Sequence, residues 1–228
     1  MQSKIISKRL KRIADFVPNG SRLLDVGSDH AYLPIFLLQE NKIQQAIAGE
    51  VAIGPFHSAV KNVANYGLSD RIQVRLADGL AAFSEEDGID VITIAGMGGR
   101  LIREILSKEK EKLSSMKRII LQPNNRENEL REWLSQNNFR IVAEDILEEM
   151  GKYYEMMVVE IGKKPLNNQE ISFGPFLLKE KSSVFIDKWK KEIDKLEKAV
   201  AKIPTKHEVE RSNLIEKIEE IKEIVYVS

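Results

Sequence analysis

The chain has no cysteine in its 228 residues. Disulfides, thiolate-bound zinc and thiol nucleophiles are therefore excluded. It has no net charge either, since 35 basic residues offset 35 acidic ones. That balance excludes a strong whole-molecule pull on a polyanion, although a neutral sum can hide a basic face. No apolar run approaches the roughly 20 residues that span a bilayer. The N-terminus, MQSKIISKRLKRIADF, is basic and lacks the apolar stretch of a secretory signal, so a cytoplasmic protein is expected. One further lack is local. DVGSDHAYL, residues 25 to 33, has Gly27 but Asp29 and Ala31 where a dinucleotide-binding fingerprint carries glycines.

What is present has the pattern of an α/β fold. Apolar residues make up 43% of the chain, enough for a packed core. Ile5, Arg9, Ile13 and Phe16 keep helical spacing until Pro18-Asn19-Gly20 stops it. Strand and helix patterns then alternate, with strands at 22–26, 45–51, 72–76, 89–95 and 118–121. Helical patterns fall at 33–39, 56–66, 99–112 and 127–137. Such alternation predicts a mostly parallel sheet covered on both faces. Two more strands, 140–147 and 153–161, join at Met150-Gly151 and place one antiparallel strand at the sheet edge.

After Gly162 the texture changes. Residues 163–175 are polar and turn-rich and are expected to be a linker. Phe185, Trp189, Ile193, Leu196, Val200 and Ile203 then recur in steps of four and three. Pro204 breaks the stripe, and Leu214, Ile218, Ile221 and Val225 restart it. This predicts an antiparallel, coiled-coil-like helical hairpin over 176–228, beside a folded unit over 1–162.

The chemistry-bearing residues cluster where strands end. In open α/β sheets, ligands bind outside the carboxyl ends of the strands. Asp25 ends the first strand, and Gly27 lets the backbone turn close to a ligand. Asp29 would repel a phosphate there but would tolerate a ligand carrying a sulfonium and an ammonium. An ordinary turn capped by Ser28 or Asp29 accounts for the same letters. Glu50 ends the second strand, where a carboxylate holds a ribose diol. Asp78 follows the third, placed to accept from an adenine amino group. ITIAGMGGR, residues 92 to 100, ends a buried strand in glycines, a mark of a sharp turn or of close backbone approach. In LQPNN, Gln122, Asn124 and Asn125 offer amides to a base edge.

Together the motifs DVGSDHAYLP, GEV, ADGL, AGMGG and LQPN, followed by a helical hairpin, resemble the bacterial tRNA (adenine(22)-N1)-methyltransferase family. The resemblance covers nearly the whole chain. It implies a Rossmann-like class I methyltransferase sheet, S-adenosyl-L-methionine as methyl donor and tRNA as substrate. Carried onto this sequence, it implies a donor site built from Asp25, Gly27, Ser28, His30, Glu50 and Val51. Asp78, Gly79, Ala95, Gly96, Met97 and Gly98 complete that site. Asp29, Tyr32, Gln122 and Asn124 are implied for the catalytic pocket, and no metal is implied. Lys4, Lys8, Arg9 and Arg12, with Lys11 beside them, are candidates for tRNA phosphates, and Tyr154 for a base.

An adenine ring nitrogen has an in-plane lone pair and needs no general base. Accordingly, His30, His57 and His207 are expected to have no nucleophile-activating partner. Residues 179–206 hold nine lysines against five acids, which suits tRNA contact, a subunit interface or a merely solvated face. The oligomeric state, monomer or homodimer through the hairpin, stays open. So do three other readings: a methyltransferase for another RNA base, a dinucleotide oxidoreductase, and a non-enzymatic interaction protein.

Overall fold

A computed structural model of the chain describes residues 6–204 and 207–227. Lys4 and Ile5 therefore lie outside the described residues. The first helix, α1 (Lys8–Phe16), starts where the Ser7 hydroxyl accepts the Leu10 amide. It buries Ile13 and Ala14 and ends at Val17, whose extended backbone suits the proline that follows.

The parallel strands are β1 (Ser21–Val26), β2 (Ile43–Glu50), β3 (Ile72–Leu76), β4 (Val91–Met97) and β5 (Arg118–Pro123). Between them run α2 (Tyr32–Gln39), α3 (Ile53–Asn65) and α4 (Gly99–Lys108). The helix expected over 99–112 breaks at Glu109 and continues as a 3-10 segment, Lys110–Ser115. α5 (Glu127–Gln136) leads to β6 (Phe139–Glu149) and β7 (Lys152–Ile161). The sheet order is β3-β2-β1-β4-β5-β7-β6. The antiparallel strand, β7, lies one place in from the edge, because the β6–β7 hairpin folds back so that β7 pairs with β5.

Both sheet faces are covered, so neighbours along a strand pack into different cores. Leu24, Ile92 and Ile119 enter one cluster, while Leu23, Val91 and Ile120 enter the other.

Residues 163–175, expected to be a linker, contain a helix, α6 (Asn168–Phe173). The polar letters Asn167 and Glu170 form its capping box rather than a flexible tether. Phe173 is buried and sits edge-on to Trp189, with ring centroids 4.6 Å apart. After α7 (Leu177–Glu180), two long helices follow, α8 (Ser183–Lys202) and α9 (Glu208–Tyr226). Phe185, Trp189, Ile193 and Leu196 of α8 share a cluster with Ile218, Ile221 and Ile224 of α9. Arg211 donates to the carbonyls of Val200 and Ile203, and Lys222 pairs with Glu197, so α9 runs back along α8.

The two helices do not stand free of the sheet. Ile146 of β6 belongs to their cluster. Beside it lies a buried charge network. Arg131 of α5 bonds Glu144 of β6 at 2.8 Å and Glu155 of β7 at 2.5 Å. Lys188 of α8 reaches the other oxygen of Glu155, and the Phe176 amide donates to Glu144. Burial alone would raise the Glu155 carboxyl, but Arg131 and Lys188 override it and hold it below its ordinary value.

Candidate active site

The strand order reverses between β1 and β4, which opens a crevice at their carboxyl ends. The chain leaves β1 through Gly27-Ser28 and then places Asp29, His30 and Ala31 in left-handed backbone, at φ 43°, 68° and 57°. Such backbone costs a non-glycine residue roughly 1–2 kcal/mol. Outside contacts hold it in place. The Asp29 amide donates to Glu50 Oε1 at 2.6 Å, and Asn62 of α3 donates to the His30 carbonyl at 2.7 Å. Neither Ser28 nor Asp29 caps α2, whose N-cap is Ala31 with no side-chain bond. The Ser28 hydroxyl turns inward to Asp25 instead.

Asp25 is 4% exposed and accepts from Ser28 and Thr93, each at 2.5 Å. Burial pushes its carboxyl up to about 6, against those two hydroxyls and the positive charge of Arg9. Glu50 is also buried, and desolvation raises it against the Asp29 amide. Val51 and Ile53 beyond it are largely exposed. Asp78 differs, being at the surface and paired with Lys108 at 2.6 Å. Gly79, next in the chain, faces Ile105, which an added Cβ would meet at 3.1 Å.

The ends of β4 and β5 form the other wall. A register irregularity at Ala95 to Met97 lifts Gly96, at φ +77°, out of the ladder. Asn124 clamps that bulge: its Nδ2 donates to the Gly96 carbonyl at 2.7 Å, and its amide to the Met97 carbonyl at 2.8 Å. Gly98 abuts Asn125, whose Oδ1 an added Cβ would meet at 3.2 Å.

Gln122 was expected to face a base edge, and its surroundings assign it to holding the wall. It is fully buried, and its Oε1 accepts from the Gly96 amide and from Arg9. Its Nε2 donates to Pro123 and to Asn124 Oδ1. Asn124 is exposed at the mouth and Gln122 positions it.

Tyr32 stacks on His30 at 5.2 Å, and His30 Nε2 lies 3.5 Å from Asp29. The left-handed turn brings these adjacent side chains together, and the pair includes no nucleophile.

The sequence places Arg9 only among phosphate contacts. Its guanidinium lies against Tyr154 and reaches Gln122 at 2.7 Å, inside the mouth. Nothing in the spacing of 113 residues could have signalled this contact. Arg12 is paired with Asp145 at 2.5 Å and Asp15 at 3.7 Å, which leaves less of its charge for phosphate. Lys8 and Lys11 are exposed. Tyr153, next to Tyr154 in β7, faces α8 and bonds Asp187.

A protein-family model for tRNA (adenine(22)-N(1))-methyltransferase matches residues 23–223. The chain belongs to this family. The tRNA (adenine(22)-N(1))-methyltransferase of Bacillus subtilis (strain 168) is 41% identical, over 96% of this chain and 97% of its own. A Streptococcus pneumoniae protein crystallised with S-adenosyl-L-methionine superposes with a TM-score of 0.92 at 57% identity. That match covers 97% of this methyltransferase and 100% of the S. pneumoniae chain. The M. capricolum enzyme of the family, solved with S-adenosyl-homocysteine, superposes at 0.86 with 31% identity, over 97% and 98% of the two chains.

Proposed function

We propose that this methyltransferase transfers the methyl group of S-adenosyl-L-methionine to N1 of an adenine in tRNA, adenine 22 by the names of its relatives. The observation that carries the reading is the convergence of acids, and not of phosphate-cradling glycines, at the ends of β1, β2 and β3. Asp25 and Glu50 are buried carboxylates close enough to feel each other's charge. Such a pair suits a ligand with a positive charge and a ribose diol, and would repel a pyrophosphate. Only one oxygen of Glu50 accepts a hydrogen bond among the described residues, so the other is available to a hydroxyl. The residues fit the donor.

Glu50 would hold the donor's ribose, and Asp78 its adenine amino group. Asp25 would act through Ser28 and the turn, which Gly27 and His30 complete. Val51 and Gly79 would flank the donor's base, and Ala95–Gly98 would back its amino-acid end. When bound, S-adenosyl-L-methionine supplies an electrophilic methyl group on a sulfonium. The adenine to be methylated presents a lone pair, so the chain's task is orientation, which can supply roughly 7–11 kcal/mol. Asn124, held by Gln122, offers its amide to the base edge at the mouth. Asp29 and Tyr32 would line the same mouth, with Arg9 and Tyr154 on its far side. No histidine need take a proton, since the product's charge can be relieved later by loss of an amino proton.

Residues 1–162 would carry the chemistry, and 176–228 would engage the tRNA body, in the cytoplasm. A groove runs from Asn124 and Arg126 to the two long helices, lined there by Lys188, Lys195 and Lys217 and by Glu192 and Glu220, and it joins the mouth to those helices. Lys8 and Arg12 of α1 would add phosphate contacts of their own. Labelled-methyl transfer into tRNA, followed by nucleoside analysis, tests the reading. Recovery of 1-methyladenine is expected. Tight binding of NADH with no response to S-adenosyl-L-methionine would overturn it.

A further inference from the structure

The tip of the β6–β7 hairpin is odd for reasons that neither folding nor solubility explains. Met150 is 95% exposed, the most exposed of the large apolar side chains among the described residues. It also has φ +53°, followed by Gly151 at +79°, in a two-residue turn between Glu149 and Lys152. Both central residues of such a turn need left-handed backbone, and asparagine followed by glycine is the favoured pair. Here methionine stands in the asparagine place. It gives no core packing and is strained in its backbone. Residues that break a local rule in this way concentrate at functional positions.

The tip also projects on the side of the sheet that carries the candidate active site. β7 pairs with β5 only over Ile119–Leu121, opposite Val159 to Met157. From Met156 to Lys152 it continues as a ribbon paired with β6 alone, roughly 15 Å at the usual rise per residue, with Tyr153 and Glu155 held by α8 and Tyr154 against Arg9. The ribbon projects past Leu121 on the side where the parallel strands end. It is anchored there. The Glu149 carboxylate accepts the amides of Lys8 and Arg9, at 2.7 and 3.2 Å, at the start of α1. The side chain of that same Arg9 reaches Gln122. One arginine thus bridges the anchored tip and the wall of the mouth.

The reacting edge of an adenine is its Watson–Crick edge, so the base must leave its pair or stack before N1 can be reached. Proteins that open a stack commonly insert an apolar wedge, and methionine is among the residues used. A wedge must be exposed, apolar and rigidly mounted. Met150 is the first two by its chemistry and burial, and the Glu149 anchor supplies the third.

We propose that Met150 enters the base stack of the RNA beside the target adenine and keeps open the place it vacates, so that the adenine is held toward Gly96 and Asn124. The proposal rests on the reading of the chain as an RNA adenine methyltransferase. It makes Met150 a substrate-positioning residue with no part in donor binding.

The test compares single-turnover methylation of two transcripts by the full chain. One is an intact tRNA carrying the target adenine. In the other, the nucleotide facing that adenine is abasic, so the base is already released. Met150→Ala is expected to slow the intact transcript at least about ten-fold and to come within about three-fold of the wild type on the abasic one. Met150→Leu, an apolar side chain of similar size, should restore most of the intact-transcript rate. Met150→Asn should raise the melting temperature, because asparagine suits the turn, yet methylate the intact transcript as poorly as the alanine variant. S-adenosyl-L-methionine affinity should stay within about two-fold in all three, since the proposed donor site is elsewhere. Equal losses on both transcripts, or an alanine variant as fast as wild type on the intact one, would overturn the wedge. Failure of the wild type on both would remove the substrate reading beneath it, a different and recognisable result.

Discussion

Replacing Asp25 by asparagine should make the protein more stable and a poorer binder of its donor. Asp25 is 4% exposed, and burial raises its carboxyl from 3.8 to about 6. The folded chain therefore binds the proton more tightly than the unfolded chain does. Between about pH 4 and pH 6 the fold carries the extra proton, so stability falls as pH rises through that window. Above about pH 6 the loss is complete. A gap of about two units at roughly 1.4 kcal/mol each comes to about 3 kcal/mol. The asparagine side chain would keep the shape and remove the charge. The hydroxyls of Ser28 and Thr93 can accept as well as donate, so each can still bond the amide. Allowing for imperfect geometry, Asp25→Asn should gain about 1–3 kcal/mol at pH 8, or roughly 2–4 °C in melting temperature per kcal/mol for a chain of this size. Thermal unfolding of both proteins by circular dichroism, at several pH values from about 4.5 to 8, measures the gap. It should widen with pH and level off above about 6, while calorimetry finds weaker S-adenosyl-L-methionine binding in the variant. A variant less stable than wild type at pH 8, or a gap that ignores pH, would refute the reasoning.

Glu50→Ala should weaken donor binding about ten- to a hundred-fold, since a hydrogen bond to a charged acceptor is worth about 1.5–3 kcal/mol; unchanged calorimetric affinity would remove Glu50 from the ribose site. Gly99→Ala would put a Cβ 2.8 Å from the Arg126 carbonyl oxygen and 2.9 Å from that of Asn125. The β5–α5 loop must then move, so a loss of about 1–3 kcal/mol in denaturant unfolding is expected, with slower methyl transfer as Asn124 shifts. Arg131→Leu should cost about 3–5 kcal/mol by leaving Glu144 and Glu155 buried without their shared cation, and urea titration checks it.

The strand and helix periods were legible because they depend on neighbours two to four residues apart. Leu23 and Leu24, facing opposite cores, are an example. The acids at the strand ends were legible too, since an acid closing an apolar run has few other reasons to be there. The helix within 163–175 was not legible, because capping residues look the same as loop residues until Phe173 finds Trp189. Gln122 looked like a base contact because sequence shows that an amide is present and not where its two ends go.

By itself, then, the sequence determined the alternation of elements, the acids that end β1, β2 and β3, and the family motifs, all written in short local patterns. Tertiary structure alone decided the rest. It brought Arg9 to Gln122, buried Arg131 between Glu144 and Glu155, tied Lys188 of the C-terminal helices to the sheet, and anchored the β6–β7 tip to the start of α1. These contacts join residues far apart in the chain. Only packing of whole elements, driven by burial of their apolar faces, determines which distant polar groups must then satisfy one another.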